Sequence, residues 1–331
     1  MKRPTMPMLP RTQRGAAILT AMLTVVLVAS LAAATLWQQW RAVEVETAER
    51  SRTQSAWVLT GALDWARLIL REDARKGGSD HLAEPWAMPL EQARLSTFLA
   101  ADRSDALAAD QAQEAFLSGQ MIDLQSRLNV FNLLQDGKLH EPSRVAFARL
   151  FELLNLAPGE LDMMVHQLRL AAEASAATAP VAVVGHSSAA PLWPQNVDQL
   201  SWVGLSPRSM AVLRPYITVL PVRTPVNLNT ASAEVIYACV EDLEFADANR
   251  LVSARNLTPL SSLAEAGKLA GNSVAKFNDA QHSVASNYFE VRGLLRVEQT
   301  VVQEQSVVQR VGLDVKTLSR QRTAAASAPL Q

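Results

Sequence analysis

The stretch GAAILTAMLTVVLVASLAAATLWQQW, residues 15–40, decides how this chain is built. Residues 16–39 contain no charged residue, proline or glycine, and about 20 apolar residues are enough for one helix to cross a bilayer. Trp37 and Trp40 are typical of the far membrane interface. The residues before the stretch include four bases and no acid, which keeps the N-terminus cytoplasmic: Lys2, Arg3, Arg11 and Arg14. The sequence therefore predicts one transmembrane helix, with the rest of the chain across the membrane.

Basic residues ending in Arg14-Gly15, followed directly by a long apolar helix, resemble the prepilin leader. The resemblance implies that a prepilin peptidase removes residues 1–15 by cutting between Gly15 and Ala16. It also implies N-methylation of Ala16 in the mature chain. A signal anchor that is never cut is the alternative that this stretch alone leaves open.

Thr20 would be the fifth residue of the mature chain. Most pilin-like subunits have a glutamate there, and it pairs with the N-terminal ammonium of a neighbouring subunit, which offsets the burial of that charge. A threonine hydroxyl can accept a hydrogen bond but cannot neutralise an ammonium. A subunit of this kind can start a filament but fits poorly within one. This departure resembles the K-type minor pseudopilins of type II secretion.

The helical pattern continues beyond the apolar stretch. Residues 41–75 contain no proline, and apolar side chains recur there at helical spacing: Val58, Ala62, Trp65 and Ile69. Gly77 and Gly78 then supply a stop signal. We predict a single helix over residues 16–74, with an apolar transmembrane part at 16–39 and an amphipathic second part.

The pattern after residue 75 predicts a sheet that is interrupted by a helical domain. Residues 75–127 form the first part of this sheet. Residues 116–134, which extend beyond that part, are predicted to form a short hairpin followed by an Asn-rich turn. Residues 128–285 show helical spacing and helix starts, including Pro142, Pro158, Ser206-Pro207 and a Ser262/Glu265 capping box. Within them, 171–191 is a low-complexity flexible loop. Residues 286–318 alternate with period two and predict a hairpin, and 319–331 predict a disordered tail.

Composition narrows the function. The chain has 331 residues and a net charge of −1, which gives no electrostatic footprint for nucleic acid. Its single cysteine, Cys239, cannot form an internal disulfide and lies in an apolar run. The five histidines have no metal-ligand spacing, and no nucleophile or phosphate-loop motif occurs. We therefore expect a protein that is not an enzyme.

Three stretches resemble the general secretion pathway K family, and they are GQMIDLQSRLNVFNLL (119–134), LRPYITVLPVRTPVNLNTASAEVIYACV (213–240) and SNYFEVRG (286–293). The resemblance implies an α+β, pilin-like fold in which a long N-terminal helix packs on a small antiparallel sheet with a large all-α insertion. It implies a minor pseudopilin in the inner membrane of a Gram-negative bacterium, with its soluble domain in the periplasm. There it would cap the pseudopilus tip and help to initiate assembly for protein export.

The same resemblance implies the partners. They are the I-type and J-type minor pseudopilins, the major pseudopilin, the prepilin peptidase and the inner-membrane assembly platform, with exported proteins as a further option. Some family members bind calcium, which needs six to eight oxygen ligands. Carboxylates are available between residues 73 and 123, but no loop has a recognisable ligand order, so calcium is an open option without assigned ligands.

Asn227, Asn229 and Thr230 precede an apolar helical run, and we interpret them as structural turn and helix-cap residues. The same NLNTAS run resembles the opening of helix-hairpin-helix modules, which leaves a membrane-tethered DNA-binding or uptake protein as the alternative function. Those modules need a glycine-rich hairpin to hold phosphate. The connection here, VEDLEFAD (240–247), has four acids and no glycine, which argues against nucleic acid.

Overall fold

The computed structural model describes residues 14–95, 115–176, 190–271, 276–297 and 300–326. It divides into two units, Met1–Val58 and Leu59–Gln331. The described part of the first unit is one continuous helix, whereas the second unit contains the sheet and the remaining helices.

Helix α1 spans Arg14–Lys76, so the predicted helix 16–74 lies inside it. Residues 16–50 are exposed, and a window of 18 residues with a mean hydropathy of 2.4 makes α1 long and apolar enough to cross a membrane. Four hydroxyl groups of the apolar stretch donate to carbonyl groups three or four residues earlier: Thr20, Thr24, Ser30 and Thr35. These hydroxyl groups are therefore satisfied within their own helix, as lipid requires.

The C-terminal end of α1 follows from two glycines. Gly77 and Gly78 have positive φ angles of 66° and 114°, a backbone conformation that glycine adopts without steric cost. The Gly77 N–H donates to the Asp73 carbonyl at 3.1 Å and closes the last turn.

Five antiparallel strands form the main sheet, and their order in the sheet follows the chain: β1 (Leu90–Arg94), β2 (Ala115–Asp123), β3 (Tyr288–Val297), β4 (Thr300–Val311) and β5 (Asp314–Ala326). Strands β2 and β3 are neighbours although residues 124–287 separate them. The sheet is therefore completed by the last part of the chain, as the predicted insertion requires.

The C-terminal predictions were partly wrong. The expected hairpin over 286–318 is a meander of three strands, and residues 319–326 of the expected disordered tail belong to β5, while 327–331 lie outside the described residues. The reason is a hairpin that is longer than expected: β5 pairs with the adjacent strand β4 from Asp314 to Ala326, with one irregularity beside Val307. In addition, Arg320 and Arg322 both bond Glu304 of β4. These contacts outweigh the weak strand preference of the terminal alanines.

The short hairpin expected within 116–134 was also wrong. Residues 115–123 are one strand, β2, which pairs with β1 on one side and β3 on the other. Gly119 does not make a turn but lies opposite Gly293 of β3. A Cβ at Gly119 would lie 2.9 Å from the Arg292 carbonyl oxygen, so this glycine allows a close approach of two backbones.

The second half of α1 packs on this sheet. Leu63, Ala66 and Leu70 of α1 belong to a buried cluster that also contains Trp86. The sheet contributes Phe289, Val291, Val308 and Val315 to this cluster. The Trp86 ring meets the Phe289 ring edge-on at 5.1 Å between centroids. The amphipathic part is helical as predicted, but its buried stripe lies one position further along than the predicted one: Leu59, Leu63, Ala66 and Leu70 are buried, whereas Trp65 is 43% exposed.

Residues 124–287 form the helical block. Its α-helices are α2 (Glu141–Leu153), α3 (Pro158–Ala176), α4 (Pro207–Leu213), α5 (Ala233–Cys239), α6 (Phe245–Leu257) and α7 (Leu263–Leu269). Short 3₁₀ helices occur at Leu124–Ser126, Val130–Leu133 and Val197–Val203, and another, Pro85–Ala87, precedes β1. A large apolar cluster fills the interior of the block. The predicted α+β fold class, with a large helical insertion, is confirmed.

Details of the helical block depart from the sequence pattern. Residues 171–176 of the expected loop are the last residues of α3, and 177–189 lie outside the described residues. The block also contains three two-residue strand pairs within the stretch read as helical: Leu128–Asn129 with Ile217–Thr218, Val226–Asn227 with His282–Ser283, and Leu134–Gln135 with Lys138–Leu139. The first two pairs join segments that are distant in sequence, which a local period cannot reveal, whereas the third is a tight hairpin around Asp136 and Gly137.

The helix starts were predicted more accurately. Proline occupies the first turn of α2, α3 and α4, and Ser206 caps α4 by accepting from the Ser209 N–H. The Ser262/Glu265 capping box is only half correct. Ser262 is the N-cap residue of α7 but makes no capping bond, and Glu265 accepts instead from the Ser261 N–H at 2.7 Å.

Candidate functional site

The predicted processing site lies at the start of α1. Gly15 and Ala16 both belong to the helix, which begins at Arg14, and the predicted leader residues 1–13 lie outside the described residues. Nothing in the helix geometry bears on whether the bond after Gly15 is cut. Cleavage there and N-methylation of Ala16 therefore stay predictions.

Thr20, the fifth residue of the predicted mature chain, uses its hydroxyl group locally. Its Oγ1 donates to the Ala16 carbonyl at 3.1 Å and the Ala17 carbonyl at 3.0 Å. The side chain carries no charge, and its proton stays on its own helix. It can accept a hydrogen bond from an ammonium but cannot offset the cost of placing that charge in lipid.

The apolar part of α1 exposes large side chains along its length. Trp37 and Trp40 are 59% and 63% exposed, and the Arg41 guanidinium lies 5.5 Å from the Trp37 ring centroid. An exposed apolar surface of this extent is stable in water only when lipid or another protein covers it. Trp37, Trp40 and Arg41 together provide the amphipathic side chains that anchor a helix at a membrane interface.

A buried polar cluster joins the sheet to the helical block. We call it the Asp123 junction and define it as Asp123, Asn227, Thr230 and Ser286. Asp123 ends β2, Asn227 and Thr230 precede α5, and Ser286 precedes β3. Asp123 Oδ2 accepts from Thr230 Oγ1 at 2.5 Å, Ser286 Oγ at 2.6 Å and Asn227 Nδ2 at 3.1 Å. One carboxylate thus ties together three distant parts of the chain.

The role of Asn227, Asn229 and Thr230 differs from the predicted one. The N-cap of α5 is Ser232, whose Oγ accepts from the Val235 N–H at 3.4 Å, so the helix-cap interpretation was wrong. The turn interpretation holds for Asn227, because its Oδ1 accepts from the Asn229 N–H at 2.9 Å. The amide groups otherwise reach across the fold, where local capping rules do not apply.

Asn229 shows this long-range role most clearly. Its Nδ2 donates to the Leu260 carbonyl at 2.9 Å, and its Oδ1 accepts from the Leu260 N–H at 2.8 Å. Asn132 pairs with both backbone groups of Thr224 in the same way, at 2.7 Å and 3.0 Å. Each side-chain amide therefore bonds both the N–H and the carbonyl group of one residue in a distant loop, as a neighbouring strand would.

Arg310 is a buried residue that the sequence reasoning missed. It lies in β4, where its NH1 donates to Asp73 Oδ2 at 2.8 Å and its NH2 donates to both oxygens of Asp80 at 2.6 Å and 2.7 Å. It also donates to the Ser286 carbonyl at 2.7 Å. Arg310 thereby connects the end of α1 and the loop after it to the sheet. The sequence indicates this role only through the position of the arginine in a strand of alternating apolar and polar residues.

One group of candidate metal ligands occurs in the part of the chain that the structure describes. Carboxylate oxygens of Asp73, Asp80 and Glu84 lie within 4.8 Å of one another. The group does not fit calcium, because Arg310 already bonds both oxygens of Asp80 and one oxygen of Asp73, and Glu84 accepts from the Trp86 indole at 2.7 Å. Three carboxylates bonded in this way do not supply the six or more free oxygens that calcium needs. Calcium binding stays a prediction without ligands.

The connection between α5 and α6 does not suit a phosphate. Glu241 and Asp242 lie in it, and Lys276 bonds both carboxylates, at 3.2 Å and 3.3 Å. Arg255, in α6, turns inward and donates to the carbonyl groups of Leu228 and Ala231. The other arginine of α6, Arg250, pairs with Asp247 at 2.6 Å. Both basic side chains of this helix are therefore bonded within the chain.

Cys239 is a structural residue. It is buried in α5, and burial raises the pKa of its thiol to about 12. At neutral pH the thiol stays protonated, and a protonated thiol is a poor nucleophile. This agrees with the expectation that the cysteine contributes packing and no chemistry.

Comparisons with known proteins agree with the resemblance to the general secretion pathway K family. Two models of the family described as type II secretion system protein K match residues 126–222 and 226–285, which contain the asparagine-rich stretches. The type II secretion system protein K of Pseudomonas aeruginosa strain PAO1 is 27% identical over 301 residues, covering 85% of this chain and 84% of the relative.

The fold is also that of a solved structure. The crystal structure of the GspK-GspI-GspJ complex from the enterotoxigenic Escherichia coli type 2 secretion system has a chain that matches with a TM-score of 0.57 and 16% identity. The match covers 83% of this chain and 98% of that chain, which shows a shared fold. With its apolar N-terminal helix, this is a membrane-anchored protein with a soluble domain. The two family models, the relative and the solved fold together support a minor pseudopilin of type II secretion that is similar to protein K.

Proposed function

We propose that this minor pseudopilin caps the tip of a short periplasmic pseudopilus and helps to initiate its assembly for protein export. The observation that carries the proposal is Thr20. Its hydroxyl group is bonded to its own helix and has no charge with which to hold the ammonium of another subunit. A subunit without that counter-charge is favoured at an end of the filament and disfavoured inside it.

The helical block supports the same position. Residues 124–287 leave the sheet between two neighbouring strands and return to it, which makes this soluble domain much larger than the sheet alone. We propose that residues 128–285 act as an inserted domain that a closely packed filament cannot accommodate along its length. At the tip the same domain would have a free surface for contact with exported proteins.

We infer that the partners are the I-type and J-type minor pseudopilins, which join this chain through α1. In support, the solved relative is a complex of GspK with GspI and GspJ, and α1 here exposes an uncharged apolar surface. The major pseudopilin, the prepilin peptidase and the inner-membrane assembly platform are further proposed partners. The proposed location is the inner membrane of a Gram-negative bacterium, with the soluble domain in the periplasm, and the proposed role is not enzymatic.

The processing proposal has a direct test. We expect the protein purified from membranes to begin at Ala16, with a methyl group on its amine, when the terminal peptide is analysed by mass spectrometry. A mature protein that still begins before Arg14 would contradict cleavage by a prepilin peptidase and remove the basis of the tip argument.

The tip proposal is tested by Thr20→Glu, which restores the usual pilin carboxylate. We expect the variant to enter the body of the pseudopilus, so that the number of these subunits per filament rises, or to cap poorly, so that filament length changes. Thr24→Glu is the matched control, because it adds the same charge one turn further along the same apolar helix. If secretion and pseudopilus length are unchanged in Thr20→Glu, or change equally in both variants, the proposal fails.

A further inference from the structure

The Asp123 carboxylate is fully buried, and the hydrogen bonds that it accepts from the described residues all come from uncharged groups. Its Oδ1 accepts from the Gln125 N–H at 2.7 Å, and its Oδ2 accepts from the three polar side chains of the junction. Within the described residues, no lysine, arginine or histidine side chain donates to it. A buried carboxylate without a cation is expensive to keep ionised, even when hydrogen bonds partly compensate.

The charges around the junction increase this cost. Asp80 lies beside the junction, because its backbone carbonyl accepts from Asn227 Nδ2 and its Oδ2 accepts from the Ser286 N–H. Carboxylate oxygens of Asp73 and Glu84 lie within 4.8 Å of the Asp80 carboxylate, and among the described residues Arg310 of β4 is the cation that bonds Asp80 and Asp73. One guanidinium therefore balances three carboxylates. From β3 come Glu290 and Arg292, which bond each other. Arg127 is a charged neighbour that attracts Glu290 and also Asp123, but it donates no hydrogen bond to Asp123 within the described residues.

The neighbouring hydroxyl groups can serve either protonation state. Thr230 and Ser286 donate to the ionised carboxylate, and because a hydroxyl group rotates, either can instead accept a hydrogen bond from the protonated acid. Protonation therefore removes a buried charge and does not leave a polar atom unsatisfied. In keeping with this geometry, burial raises the pKa of Asp123 to about 6.

We propose that Asp123 is a proton-controlled latch that holds the helical block on the sheet more tightly when its carboxyl group is protonated. The latch joins the end of β2 to the segment before α5 and to the residue that returns the chain to β3. It responds to mild acidification without any ligand. The inference depends on the fold and is independent of the proposed position at the tip.

The direction of the effect follows from linkage. Folded Asp123 keeps its proton to a higher pH than the unfolded chain does, so the stabilisation is fully present below about pH 4 and is lost as the pH rises through about 6. Two histidines act in the opposite direction, because burial lowers the pKa of His140 and of His282. Asp73 and Asp80, whose pKa values burial raises, act in the same direction as Asp123.

Comparison of the wild type with Asp123→Asn isolates the latch, because all other titrating groups are common to both. The measurement is the unfolding equilibrium of the full chain in detergent between pH 5 and 7.5. We expect the ratio of the wild-type to the variant unfolding constant to rise about 10-fold from pH 5 to pH 7.5. Asp198→Asn, at an exposed acid of the helical block, should leave the ratio flat. A flat ratio for Asp123→Asn would overturn the proposal.

A second variant keeps the titrating group. Ser286→Ala removes one donor to the ionised carboxylate, so the pH midpoint of the stability change should move upward. Hydrogen exchange of residues 226–231 and 284–288, corrected for its intrinsic pH dependence, should show stronger protection below that midpoint. A midpoint that does not move, or protection that is equal on both sides of it, contradicts the latch even if Asp123→Asn fails to fold.

Discussion

The apolar stretch of α1 and the Asp123 junction place opposite kinds of side chain in opposite surroundings. Residues 16–39 expose an uncharged apolar surface, whereas Asp123, Asn227 and Ser286 are polar and buried. The side chains of residues 16–39 are exposed, so lipid or another protein must supply their apolar environment. The junction contains its own partners. The difference shows which region serves assembly and which serves the stability of the fold.

Among the buried polar groups, we expect the largest effect from Arg310→Met. It leaves Asp73 and Asp80 buried without their cation, and we expect a loss of about 3–5 kcal/mol in the free energy of unfolding. Chemical unfolding of the full chain in detergent measures this loss. Arg144→Met is the control, because Arg144 forms an exposed pair with Glu141 and should contribute less than about 1 kcal/mol. Equal losses in both variants would contradict the central role of Arg310.

Val26→Arg tests the exposed side. A charge near the middle of the apolar stretch should oppose membrane insertion by about 2.5–3.5 kcal/mol. We expect a smaller share of the protein to remain in membranes after alkaline extraction. Leu318→Arg, at an exposed apolar position of β5, should leave that share unchanged. If Val26→Arg is retained as well as the wild type, residues 16–39 do not lie in lipid.

The smallest expected effect concerns a single buried amide. Asn229→Ala leaves the Leu260 N–H and carbonyl without their partners, which should cost about 1–3 kcal/mol in the free energy of unfolding. Asn249→Ala is the matched control, because Asn249 is exposed and bonds one carbonyl of its own helix. A loss in Asn229→Ala no larger than in the control would mean that water replaces the lost bonds.

Much of the fold could be predicted, and the errors have a common cause. The α1 helix, the proline and serine helix starts and the helical insertion depend on local signals, and the structure contains them. The errors concern strand pairing: Gly119 pairs with the distant Gly293, and β5 pairs with the adjacent β4 through alanines whose strand preference is weak. A strand whose partner is remote has no local signature beyond its period, and alanine or glycine residues weaken even that.

The candidate site divides in the same way. Residues 15–20 and the apolar stretch could be identified from the sequence, because their signals lie within one helical segment. The asparagines could be recognised as structural, but their partners could not. Asn227 meets Asp123 across 104 residues, and Ser286 meets it across 163.

The sequence by itself determined that an uncharged helix precedes a soluble domain, because hydrophobicity and charge act along the chain and need no partner. It also placed a neutral threonine where most pilin-like subunits carry an acid. Only the tertiary structure decided that Asp123 is buried among uncharged hydrogen-bond donors and that Arg310 balances the acids beside it. Such interactions depend on which distant residues come together in space, and that is set by the packing of the whole fold.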